Sequence, residues 1–146
     1  MTAALDPAGI RHPLEEMSGA VDPAALRHPL ARQAVLDATR ALRHRLRGLA
    51  WPTPYQLIGI AYCTLARDRA LVADEQGCGK TAVALCRILL GNHWPAIVIA
   101  PATAARSVWH DVQLPMWLPG VPVRLVDAID SWIPPAGWRG VVVTTW

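Results

Sequence analysis

Asp74-Glu75-Gln76-Gly77-Cys78-Gly79-Lys80-Thr81 lies between a short apolar run at residues 70–73 (ALVA) and a longer run at residues 82–90. The first has strand length. The second carries apolar residues at helical spacing and stops at Gly91-Asn92, a good helix terminator. Strand, glycine loop, Lys-Thr and helix, in that order, is the layout of a phosphate-binding loop. Small residues let backbone N–H groups converge on phosphate oxygens, at a helix N-terminus whose dipole favours anions. In such a loop Lys80 reaches the terminal phosphates and the Thr81 hydroxyl holds Mg²⁺. The full G-x-x-x-x-G-K-[ST] pattern places glycine at position 74, where this chain has Asp74. Placement between a strand and a helix keeps the phosphate reading ahead of a chance glycine turn.

Downstream, residues 96–100 (AIVIA) are fully apolar and bounded by Pro95 and Pro101. Continuous hydrophobicity predicts a parallel strand covered on both faces. Thr103 is placed to cap a helix over residues 104–114, with Pro115 as its stop. Residues 121–126 read as a weaker strand and residues 140–145 (GVVVTT) as a strong one. Strands alternating with helices around a glycine loop predict an α/β three-layer domain with a mostly parallel sheet.

Upstream, Thr53-Pro54-Tyr55-Gln56 opens a helix reaching to about residue 67. Thr53 serves as N-cap, Pro54 fits the first turn, and Gln56 stands three after the cap, as in a capping box. Residues 31–49 form a basic amphipathic helix. Val35, Leu36, Leu42, Leu46 and Leu49 line one side; Arg40, Arg43, His44, Arg45 and Arg47 crowd the rest. Such a face is either solvated, on a helix packed against the domain, or a phosphate-backbone strip; charge runs favour the first. Leu5-Asp-Pro-Ala-Gly-Ile-Arg-His-Pro-Leu14 recurs sixteen residues later as Val21-Asp-Pro-Ala-Ala-Leu-Arg-His-Pro-Leu30. Each Asp-Pro can start a helical turn that His-Pro ends. Residues 1–50 are therefore expected to be a helical accessory segment, with His12 and His28 as solvated turn residues.

With 146 residues and 53% apolar content, the chain can build one domain with a real core. Its net charge of +3 fits a polyanion-binding surface without demanding one. Cys63, Cys78 and Cys86 are odd in number and lack metal-ligand spacing, so free thiols in a reducing cytoplasm are expected. Cys78, inside the loop, is open to alkylation. No run approaches the roughly 18 apolar residues of a membrane span. The N-terminus has acids and prolines where a signal peptide needs an apolar core, which also predicts a cytoplasmic chain. The seven tryptophans show no periodicity and read as packing residues rather than a base-stacking platform.

Four stretches in order resemble the Swi/Snf-type DNA translocases, a branch of the superfamily-two helicases. Pro54-Tyr55-Gln56-Leu57-Ile58-Gly59-Ile60 resembles that family's opening helix, whose glutamine reads adenine. Leu71-Val72-Ala73 together with the loop through Thr81 resembles motif I, usually written LADEMGLGKT, which accounts for the Asp at position 74. Ile97-Val98-Ile99-Ala100-Pro101-Ala102, then Trp109 and Trp117-Leu118-Pro119, resembles motif Ia and its following helix. Val141-Val142-Val143-Thr144-Thr145-Trp146 resembles the strand of motif Ib. The spacing around Trp94-Pro95 resembles the annealing-helicase branch. Departures are Cys78 for leucine, Gln76 for methionine, and Pro115 inside a helix that the family continues.

The resemblance spans residues 51–146 and implies a partial RecA-like lobe that binds ATP and Mg²⁺ and acts on double-stranded DNA. Its nucleotide site would comprise Gln56, Glu75, Gln76, Gly77, Cys78, Gly79, Lys80, Thr81 and Ala82. Thr81 would hold the metal and Lys80 would be the catalytic side chain. Pro101, Ala102 and Thr103, with Thr144 and Thr145, would touch a DNA backbone. Hydrolysis also needs a metal-binding acid, a group orienting water, and an arginine on the developing charge. The chain has no glutamate after Glu75, and Asp127 is the only imitation of the acid-bearing strand. The expectation is a fragment of a helicase, inactive alone. Two alternatives stand beside it: a non-catalytic nucleotide- or DNA-binding module ending at Trp146, and a small kinase-like NTPase using Asp127.

Overall fold

The computed structural model describes residues 29–46, 50–67, 69–126 and 132–146. Among the described residues there are three helices, a three-stranded parallel sheet and a fourth helix packed on that sheet. Helix α1 (Pro29–Arg45) buries Val35, Ala38 and Leu42, which recur at helical spacing on one stripe. Thr39 is also buried, and its hydroxyl donates to the Val35 carbonyl at 2.8 Å, so the burial leaves no polar atom stranded. Helix α2 (Pro54–Leu65) begins as the sequence requires: Thr53 is extended, and its N–H donates to Gln56 Oε1 at 2.9 Å. Leu57, Ile60 and Ala61 turn into the core.

Helix α3 (Lys80–Gly91) ends at Asn92, whose left-handed φ of 57° closes the last turn. Val83, Leu85 and Cys86 meet α1 and α2 in one apolar cluster. Arg45, in the last turn of α1, donates from Nη1 to the Leu89 and Leu90 carbonyls at 2.9 Å each, capping α3. Arg40 lies 3.7 Å from Asp37 on an exposed face. The basic helix is thus packed against the domain through its apolar stripe and Arg45.

Strands β1 (Ala96–Ala100), β2 (Val123–Val126) and β3 (Val141–Thr145) form a parallel sheet in the order β1-β3-β2. Ala96 pairs with Val141 and Ala100 with Thr145; Val123 also pairs with Val141. Three continuous segments, Ala102–Ala104, Ala105–Gln113 and Leu114–Trp117, make helix α4, which packs on β2 and β3. Ala105, Leu114 and Trp117 are its buried positions.

Four expectations are corrected. Residues 70–73 are in no strand, and Leu71 is 83% exposed. Two of those four residues are alanine, so little β-propensity or apolar area offsets the entropy of ordering them. Strand β1 is not covered on both faces: Ala96, Val98 and Ala100 are buried, whereas Ile97 and Ile99 face outward. Pro115 does not stop α4. The middle segment is π-helical, and Leu114 N–H bonds Trp109 O, so the turn entering Pro115 lacks the i→i−4 spacing its ring would obstruct. Thr103 is inside the first turn rather than its cap, with Pro101 in the capping position.

Candidate nucleotide site

The loop before α3 is shaped by two glycines in left-handed conformation, Gly77 at φ 88° and Gly79 at φ 73°. Gly77 faces open space, so only its backbone demands glycine. Gly79 is constrained twice, because a Cβ there would overlap Gln56 Nε2. Cys78 N–H reaches back to the Glu75 carbonyl at 3.3 Å, tightening the turn. Ala82 N–H then bonds the Gly79 carbonyl at 2.9 Å and starts the helix. The first-turn N–H groups of α3 precede any intrahelical acceptor and make its N-terminus partially positive.

Lys80 crosses the loop. Its Nζ donates to the carbonyls of Asp74 and Glu75 at 2.7 and 2.9 Å, holding an ammonium beside the glycine turn. Thr81 is half-buried next to it. Both line a cavity of about 520 Å³ that Val72, Arg87, His93 and Trp109 also border. A concave, largely apolar surface with a few cationic and hydroxyl groups suits a ligand carrying both an anionic and an apolar part.

Helix α2 meets this loop at its first turn. Tyr55 donates its hydroxyl to the Cys78 carbonyl, and Gln56 Nε2 donates to the same oxygen at 3.2 Å. Gln56 is 7% exposed, so both ends of its amide are engaged, one in the helix cap and one on the loop. Gln56, Gly77, Cys78, Gly79, Lys80 and Thr81 therefore converge. Glu75 and Gln76 stand exposed on the outer side of the turn, and the Ala82 methyl faces the core. Tyr55 was not among the expected site residues; its only sequence signal is its place beside Gln56 in a capped first turn.

Pro101, Ala102 and Thr103 are exposed where β1 passes into α4, and Thr144 and Thr145 are half-buried at the end of β3. Because Ile99 pairs with Thr144 and Ala100 with Thr145, the two groups leave the sheet at the same edge. That edge is the carboxyl end of parallel strands, where α/β sheets place ligand crevices. Asp127, His12, His28, Arg47, Leu49 and the Asp-Pro repeat up to His28 lie outside the described residues.

Comparison with known proteins bears on this geometry. The chain is 32% identical over 77 residues to the SWI/SNF-related matrix-associated actin-dependent regulator of chromatin subfamily A-like protein 1 of Xenopus tropicalis. It is 28% identical over 79 residues to the DNA annealing helicase and endonuclease ZRANB3 of Homo sapiens. Over about half its length, this chain is similar to SWI/SNF-related proteins. The matches cover 52% and 53% of the chain, but the chain spans only 8% and 7% of those relatives. No family model and no solved structure matches it. The SWI/SNF-related likeness agrees with the resemblance drawn from the motifs, including its annealing-helicase branch. No helix among the described residues is long and apolar enough to cross a membrane.

Proposed function

We propose that this chain is the ATP-binding N-terminal part of an ATP-dependent DNA helicase or translocase acting on double-stranded DNA. The observation that carries it is the loop itself: two left-handed glycines and a lysine at the N-terminus of α3, stitched to the opening helix α2. The donor set fits a magnesium triphosphate. Backbone N–H groups of the turn from Gly77 to Lys80 would cradle phosphates, with Glu75, Gln76, Cys78 and Ala82 completing the loop. Lys80 would balance charge at the terminal phosphates as the catalytic side chain, and Thr81 would hold Mg²⁺. Bound ATP would supply the hydrolysable phosphoanhydride. Gln56 would recognise adenine with what remains of its hydrogen-bonding capacity.

Pro101, Ala102, Thr103, Thr144 and Thr145, gathered at one sheet edge, would contact a DNA backbone without reading sequence. In this reading residues 1–50 are accessory and residues 51–146 form part of a RecA-like lobe in a reducing, cytoplasmic setting. Titration of the 146-residue chain with a fluorescent ATP analogue and Mg²⁺, with Lys80→Ala as control, tests the nucleotide site. Duplex-stimulated hydrolysis by a longer chain, lost on the same substitution, tests the helicase reading; a chain carrying all lobes yet showing none would defeat it. A second reading is a nucleotide- or DNA-binding module without hydrolysis, since residues 76–146 hold no glutamate to serve as the metal-binding acid. An acidic metal-binding motif encoded in frame after Trp146 would rule that reading out.

A further inference from the structure

We propose that Tyr55 is a positioning residue for phosphate recognition, acting through the Cys78–Gly79 peptide. The inference rests on the nucleotide-binding reading above and adds to it the group that orients the loop. Two donors on α2, Tyr55 O–H and Gln56 Nε2, converge on one acceptor, the Cys78 carbonyl oxygen. A trans peptide is planar, with its C=O and N–H pointing in opposite directions. The Cys78–Gly79 bond is trans, since among the described residues the cis bond is Trp94–Pro95. Fixing the carbonyl toward α2 therefore aims the Gly79 N–H away from α2.

That peptide needs fixing. Its plane turns about Cys78 ψ and Gly79 φ, and Gly79, left-handed at φ 73°, has no Cβ to resist that turn on its side. A rotated peptide would turn a carbonyl oxygen, rather than an N–H, toward an anion. The donors that oppose rotation sit on a rigid base. Thr53 and Gln56 cap α2, and Leu57 and Ile60 anchor it at 1% and 0% exposure. Gly79 contributes by lacking a side chain, which lets the Gln56 amide approach the loop. Tyr55 itself is 36% exposed, so its ring is not a core element and its hydroxyl is the part the loop uses.

Tyr55→Phe keeps the ring and deletes the hydroxyl. Calorimetric titration of the 146-residue chain and this variant with MgATP and with inorganic tripolyphosphate tests the assignment, with the melting temperature of each ligand-free protein recorded. The expected result is a loss of about tenfold in affinity for both ligands, the size of one net hydrogen bond, at unchanged melting temperature. Equal affinities in the two proteins overturn the positioning role while leaving the nucleotide site standing. A loss for MgATP alone overturns it too, by moving the action of Tyr55 from the phosphates to the base. A loss accompanied by a lower melting temperature reduces Tyr55 to a structural contact. Failure of the unsubstituted chain to bind either ligand defeats the nucleotide reading itself.

Discussion

Lys80 illustrates how one side chain serves the fold and the site together. Its ammonium satisfies two loop carbonyls, so removing it frees the start of the loop as well as deleting the charge. Lys80→Ala is expected to abolish detectable nucleotide binding in the fluorescence titration while leaving helical circular dichroism intact. Arg45 has a different outcome. The basic run suggested either a solvated face or a phosphate strip, and this arginine instead caps α3. Arg45→Ala should lower stability by about 1 kcal/mol in urea denaturation, the range for a cation at an exposed helix C-terminus. Cys86 adds a pH signature. Burial pushes its thiol from 9.0 up to about 12, so between those values the unfolded chain has lost a proton that the folded chain keeps. Stability should therefore fall as pH rises from 9 towards 12, and Cys86→Ala should make that decline shallower. Urea titrations of both proteins across that range measure the difference.

At the scale of elements, local signals located the helices well. Thr53-Pro54 and Gly91-Asn92 are a start and a stop whose causes are local, and α2 and α3 begin and end close to them. Local signals failed at Pro115 and at residues 70–73 for opposite reasons. Pro115 is a strong helix breaker, yet burial of Leu114 and Trp117 on either side holds the chain helical through it, with wide turns before it. Leu114→Ala should cost about 3 kcal/mol, as for other fully buried leucines, and thermal denaturation would show it. Residues 70–73 have strand length but no described partner strand, and a ladder cannot be made by one strand. The left-handed glycine turn before α3 was legible because its glycines and lysine are adjacent in sequence. The contact of Tyr55 with the Cys78 carbonyl was not, because it depends on how α2 packs beside α3.

Taken whole, the described residues leave the outer face of β1 uncovered. Strand β1 stands at an edge, and Ile97 and Ile99 are 65% and 62% exposed on one face. A bare apolar face beside an unpaired strand edge invites self-association. Sedimentation of the 146-residue chain should show concentration-dependent oligomers, and the double substitution Ile97→Thr, Ile99→Thr should suppress them without loss of thermal stability. An unchanged oligomer distribution would place the contact elsewhere. The sequence by itself determined the α/β class, the parallel strands, the capped helices and the glycine turn before α3, because each rests on residues within one helical turn or one strand. Tertiary structure alone decided that Arg45 caps a neighbouring helix, that β1 keeps an open face among the described residues, and that α2 holds the Cys78 peptide. Those outcomes depend on which surfaces meet, and periodicity specifies that an apolar stripe will be buried without specifying against what.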